Sequence, residues 1–194
     1  MTRLVAIVEG HGEVQAVPVL VRRIASAALP GVAVDVPRPI RVKRHRILKE
    51  GELERAIELA ARQAGPDGRI LVLLDADEEC PKTLAENIRR RAAAVRGDRR
   101  ICAVLAKTEY EAWFVAAVES IVGQRGIRRR STSDNPEAIS DAKGWLSNHM
   151  EGSRSYSEVL DQPALSAVFD LDLARKRSPS FDKMWRDVAS LLAP

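Results

Sequence analysis

Two short stretches place carboxylates where apolar runs end. In "LVAIVEGHGEV" (4–14) the run stops at Glu9, Gly10 and Gly12 flank His11, and Glu13 follows. In "RILVLLDADEE" (69–79) it stops at Asp75, with Asp77, Glu78 and Glu79 behind it. Continuous apolar, β-rich runs are the mark of strands buried on both faces of a parallel sheet, and such sheets bind ligands beyond the carboxyl ends of their strands. If the two strands are neighbours, Glu9, Asp75 and Asp77 converge within reach of one ion. Their mutual repulsion makes an empty cluster costly, so a hard divalent cation is the expected cofactor, Mg²⁺ or Mn²⁺. Held by one or two carboxylates, waters and a substrate phosphate, the ion would polarise a phosphoryl oxygen; two ions ~3.5–4 Å apart would clamp both the attacking and the leaving oxygen. Glu13, Glu78, Glu79 and Glu111 are candidates for a second ion. Gly10 and Gly12 would let backbone approach a phosphate and expose amides at a helix start. Glu13 has another use open to it, as an acid at the start of the following helix.

These acids need a scaffold, and the intervening sequence supplies the signals for one. Residues 3–8 predict a buried strand and 13–29 a helix, with Pro18 either in its first turn or kinking it. Val32, Val34 and Val36 alternate, and Pro37 and Pro39 interrupt the run into "IRVKRHRIL", which predicts a proline-broken edge strand over 32–48. Helices are expected at 51–65, ending at Gly65-Pro66, and at 81–97, starting at Pro81. Strands are expected over 69–75 and 99–106. The alternation predicts a doubly wound, mainly parallel α/β sheet with helices on both faces. Beyond it, 109–123 reads as an amphipathic helix, 124–138 as a mobile loop, and two or three short helices finish the chain around Trp145, Phe169, Phe181 and Trp185. The expected division is a core at 1–118 and a helical extension at 119–194 packed on it as one unit.

At 194 residues the chain suits one α/β domain. Hydrophobic residues at 45% and charged residues at 30% describe a globular composition. Cys80 and Cys102 offer neither a disulfide framework nor a zinc site. Glu9 and Glu13 interrupt the first apolar run too early for a signal peptide, and no stretch reaches the ~20 apolar residues of a membrane span. A soluble, cytoplasmic protein with no membrane partner is the expectation. The net charge of +4 is compatible with a polyanionic partner. Arg38, Arg41, Lys43, Arg44, Arg46 and Lys49 occur with no acid among them; as a strand, Arg41, Lys43 and His45 would share one face and Arg44 and Arg46 the other. The same charges would equally suit an edge strand guarding against aggregation. Arg125, Arg128, Arg129 and Arg130 form a second basic cluster, and Arg89, Arg90 and Arg91 a third. Eight aromatics, mostly on expected helices, provide no stacking platform for single strands.

A hydrophobic strand followed by "VEGHGE", and a later one ending "LLDADEE", resembles the TOPRIM domain of topoisomerases, primases and OLD-family nucleases over residues 1 to about 118. With "EYEAWFVAA" and "SPSFDKMWRDV", most of the chain is similar to small stand-alone bacterial TOPRIM-like proteins, some associated with phage-defence loci. The resemblance implies that Glu9 is a general acid/base or metal ligand, that Asp75 and Asp77 hold magnesium, and that Glu111 faces the same site, with Glu79 a looser match. No transesterifying tyrosine domain or ATPase domain accompanies these motifs. The leading expectation is a magnesium-dependent enzyme that cleaves or transfers phosphodiesters of nucleic acid. Its rival is a non-catalytic module that binds nucleic acid or a partner protein within a larger system. A receiver-like role for Asp75, with Lys107 after the next strand as its phosphate-contacting lysine, is a further alternative. A haloacid-dehalogenase or sugar-transferase reading of "DAD" leaves "VEGHGE" without explanation.

Overall fold

The computed structural model describes residues 1–128 and 135–193; Arg129 and Arg130 of the second basic cluster lie outside them. Five strands build one parallel sheet: β1 (Thr2–Val8), β2 (Val34–Asp35), β3 (Ile40–Arg41), β4 (Arg69–Asp75) and β5 (Arg100–Ala106). β1 is flanked on one side by β4 and on the other by the proline-broken edge. Thr2 and Arg3 face β2, and Ile7 and Val8 face β3. β4 and β5 pair along their whole length, from Arg69 opposite Arg100 to Asp75 opposite Ala106.

Strand alternation sorts the side chains into two cores. Leu4, Ala6, Val8, Leu71, Leu73 and Val104 pack against Val17, Leu20 and Ile24 of α1 (Glu13–Ala28). Val5, Ile7, Ile70, Val72 and Leu74 face the other way, onto Leu53 and Ile57 of α3 (Glu52–Ala64) and Ile88 of α4 (Pro81–Arg96). The short α2 (Arg44–Ile47) precedes α3. The chain leaves β1 for the edge on one side and then crosses to β4 on the other. Such a reversal opens a crevice at the carboxyl ends of β1 and β4.

After β5 come α5 (Ala112–Ala116), 3₁₀ turns at Val118–Ile121 and Pro136–Ala138, α6 (Ala142–Asn148), α7 (Glu158–Ser166), α8 (Leu171–Arg177) and α9 (Pro179–Leu192). Their apolar residues Phe114, Leu165, Phe169, Phe181 and Met184 belong to the same core as α1. Asp161 fixes the start of α7: fully buried, it accepts from Arg125 Nε at 2.8 Å, Arg154 Nη2 at 2.5 Å and its own helix's Ser157 N at 2.9 Å. Among the described residues no helix is long and apolar enough to cross a membrane.

Four local expectations change. The edge strand ends at Arg41, and residues 44–47 form a helical turn, because Arg46 N and Ile47 N donate to Lys43 O and Ile47 is drawn into the core. Arg44 and Arg46 therefore do not form one face of a strand. Pro18 sits in the second turn of α1, not the first. The expected amphipathic helix at 109–123 is a five-residue helix followed by a 3₁₀ turn; Tyr110 through Val118 are all buried, so the helix has no solvent face, and exposure begins at Glu119 in the turn. Four helices, not two or three, close the described chain.

The turn between β1 and α1 is constrained by α7. Gly12 has a helical φ of −65°, which any residue adopts, yet a Cβ there would overlap Gln162 Oε1 and the backbone carbonyl of Glu158. Gly12 is needed for close approach between elements, and the backbone on the α7 side cannot rotate away. Gly12→Ala should lower stability by about 2–3 kcal/mol, the upper range for overpacking. Thermal or urea unfolding against wild type checks this, and an unchanged midpoint would contradict the packing.

Candidate active site

Glu9 is the residue after β1, and Asp75 is the last of β4, so neighbouring strands in register bring both to the crevice. The crevice holds a cleft of about 200 Å³ bordered by Glu9, Glu13, Asp75 and Glu111. Lys43 and Arg44 close one side; Lys143, Glu158 and Gln162 close the other.

Each acid is held by a different device. Glu13, in the first turn of α1, folds back so that Oε2 accepts from Glu9 N and Gly10 N, both at 3.0 Å. The carboxylate thereby ties the strand end to the helix start. Asp75 Oδ1 accepts from Tyr110 N at 2.8 Å, so the end of β4 is locked to the segment after β5. That segment includes Thr108 at φ +65°, a conformation rare for a β-branched residue and often found beside functional sites. Glu111 Oε1 accepts from Tyr156 OH at 2.9 Å and Gln162 Nε2 at 3.2 Å.

The protonation equilibria follow from burial. Glu9 is pushed up to about 7 by desolvation, which outweighs the opposing pull of Arg44. Burial also raises Glu13, Asp75 and Glu111; the charges of Glu13, Glu111 and Glu9 push Asp75 further in the same direction. Lys143 is the counterweight: its Nζ is 2.9 Å from Glu158 Oε1, 3.3 Å from Glu109 Oε1 and 4.0 Å from Glu111 Oε2. Glu109 Oε2 also accepts from Ala142 N at 2.8 Å and Lys143 N at 3.2 Å, which pins the start of α6 and sets Lys143 over the cleft.

Among the described residues no three acidic, histidine or cysteine side chains stand close enough to share one ion. Glu9 and Asp75 do share the cleft, but Asp77 and Glu79 point elsewhere. Both are exposed and pair with Arg44, at 2.9 Å to Nε and 2.7 Å to Nη2. Arg44 also donates to Asp75 O and, at 3.3 Å, to Ala76 O, so the α2 turn clamps the end of β4. Glu78 is exposed as well. Three other oxygens remain without a hydrogen-bond partner although buried: Glu9 Oε2, Glu111 Oε2 and Gln162 Oε1, all on residues lining the cleft. Such atoms are costly unless something meets them. A donor set of one or two carboxylates and an amide oxygen fits Mg²⁺, which keeps several waters.

The remaining candidates scatter. Gly10 lines the cleft, whereas Gly12 is covered by α7. Arg41 Nη1 donates to Glu9 O at 3.2 Å, and Arg46 is paired with Glu52. Lys43 is exposed at the rim, and Lys107 lines a separate pocket. His11 and His45 are exposed. The sequence carries no local signal for Lys143, Glu158 or Gln162, which arrive from the C-terminal helices.

Residues 8–189 match the family model of a domain of unknown function, DUF4276. No curated protein matches the chain, and no solved structure does.

A carboxyl raised by folding binds its proton more tightly in the native state, so stability is fully present below the ordinary value of 4.5 and is lost as pH rises through the folded value. For Glu9 that window runs from 4.5 to about 7. With Glu13, Asp75 and Glu111 shifted in the same direction, the metal-free protein should melt several degrees lower at about pH 8 than at about pH 5. Glu13→Gln should flatten the dependence. Scanning calorimetry in chelator decides it, and a midpoint that rises over this range would contradict the buried acids.

Proposed function

The chain belongs to the DUF4276 family, and we propose that it is a divalent-cation-dependent enzyme that cleaves or transfers phosphodiesters of nucleic acid. The observation that carries the proposal is the pair of buried carboxylate oxygens without a hydrogen-bond partner, Glu9 Oε2 and Glu111 Oε2, the latter with only a 4.0 Å approach of Lys143, on a cleft they share with Asp75. Position supports it too: the cleft sits at the crevice between β1 and β4, where ligands of doubly wound sheets bind. The resemblance of "VEGHGE" and "LLDADEE" to TOPRIM motifs points the same way.

One or two of the carboxylates of Glu9, Asp75 and Glu111 would hold Mg²⁺ or Mn²⁺, with Gln162 Oε1 as a neutral donor and waters filling the other positions. When bound, the ion polarises a phosphoryl oxygen and makes water a stronger nucleophile near neutral pH. Burial pushes Glu9 up to about 7 in the ion-free cleft; as an ion ligand it works deprotonated, and as a base it would take a proton from an attacking water. Lys43, exposed at the rim of the cleft, can neutralise a non-bridging phosphate oxygen, whereas Lys143 is held by Glu158 and Glu109. Asp77 and Glu79 act indirectly by orienting Arg44.

A second reading rests on Lys143. Its ammonium already compensates Glu158, Glu109 and Glu111, so the cleft can be balanced without an ion, and the chain would then serve as a non-catalytic module that binds nucleic acid or a partner protein.

The test is cleavage of single- and double-stranded DNA and RNA in Mg²⁺ or Mn²⁺, alongside calorimetric titration of each ion. Wild type should bind the ion and cleave; Glu9→Gln should lose about 10²–10⁴ in rate, the usual worth of a general base, and Asp75→Asn should lose ion binding as well. Equal rates in all three proteins would defeat the proposal. Ion binding with no cleavage of any substrate would favour the non-catalytic module.

A further inference from the structure

A second pocket lies beside the acid cleft, in the gap between α4 and α9 at the edge strand β5. Its volume is about 340 Å³, within the range of small-molecule sites. The floor is apolar, with Ala85 of α4 and Leu105 of β5 both buried, and Pro81 and Pro179 at the first positions of the two helices. The walls are basic: Lys82 and Arg89 come from α4, Lys107 follows β5, and Lys183 comes from α9. Lys183 is paired with Asp187, whereas Lys82, Arg89 and Lys107 form no ion pair among the described residues. One acid, Glu137, also lines the pocket, and its Oε1 is already engaged, accepting from Ser178 Oγ at 2.5 Å and Ser180 N at 2.8 Å. Four cations thus face one occupied carboxylate. Both helices begin here as well, adding the positive ends of their dipoles.

We propose that this pocket binds an organic monophosphate: a flat, weakly polar body carrying a dianionic phosphate, the class that includes nucleoside monophosphates. Each half of such a ligand answers one feature. The body covers Ala85 and Leu105, and the phosphate takes the three unpaired cations. Inorganic phosphate alone would leave the apolar floor unused, and an uncharged ring would leave the cations unused. No lining residue is shared with the acid cleft. The two pockets nevertheless occupy one edge of the sheet, since Lys107 follows Ala106, which pairs with Asp75 across β4 and β5. The proposal does not depend on the reaction assigned to that cleft.

Calorimetric titration of the 194-residue chain with AMP, adenosine and inorganic phosphate tests it, in wild type and in Lys107→Gln, Arg89→Gln and Asp75→Asn. Arg89 is exposed and Lys107 half-buried, so both substitutions should preserve the fold. AMP should bind at least about tenfold more tightly than adenosine or phosphate, and each basic-residue variant should weaken it about tenfold, the usual worth of a charge-assisted hydrogen bond. Asp75→Asn should leave AMP affinity unchanged. No AMP binding, equal binding of inorganic phosphate, or AMP binding lost in Asp75→Asn but kept in both basic-residue variants would overturn the proposal.

Discussion

Burying several carboxylates beside one another is the constraint around which the molecule is organised. Each charged carboxylate removed from water costs several kcal/mol unless donors or counter-charges replace the solvent. The protein answers locally. Backbone amides of Glu9 and Gly10 serve Glu13, the amide of Tyr110 serves Asp75, and Tyr156 with Gln162 serves Glu111. Each of these bonds also ties one element to another, so the devices that make the acids tolerable define the geometry of the strand ends. Compensation is incomplete at Glu9 Oε2 and Glu111 Oε2. That shortfall is the basis of the proposal that the cleft takes a cation.

The C-terminal helices are the other half of this arrangement. α6 brings Lys143, positioned by Glu109, and α7 brings Glu158 and Gln162, positioned by the buried Asp161 with its two arginines. Gly12 lets α7 lie directly on the turn after β1. A sheet with strand-terminal acids would present an open, solvated edge; the helices turn that edge into a walled cleft in which Glu13, Asp75 and Glu111 are withdrawn from water. Desolvation then raises Glu9 toward neutrality, where a carboxylate is useful as a base.

Much of the sheet was legible because its strands are continuous β-rich runs punctuated by glycine and proline, and β4, α4 and β5 fall where those signals put them. The strand-terminal positions of Glu9 and Asp75 were legible for the same reason, whereas the place of Glu111 in the same cleft was implied only by the resemblance of "EYEAWFVAA". "RVKRHRIL" misled because alternating charge imitates a strand, while its turn is decided by burial of Ile47 and by Arg44 reaching the end of β4. Asp77 and Glu79 followed from that error: their partner is a basic side chain 30-odd positions earlier, which no local pattern reveals. Lys143, Glu158 and Gln162 were invisible because long-range packing alone brings them to the cleft.

The central claim is that the oxygens of Glu9 and Glu111 await a cation. Anomalous scattering from crystals of the 194-residue chain soaked in Mn²⁺ tests it most directly. A manganese peak within coordination distance of Glu9 and at least one of Asp75 and Glu111, absent in Glu9→Gln crystals, is the predicted result. Crystals of wild type with Lys143 turned into that space and no manganese in the cleft would contradict it.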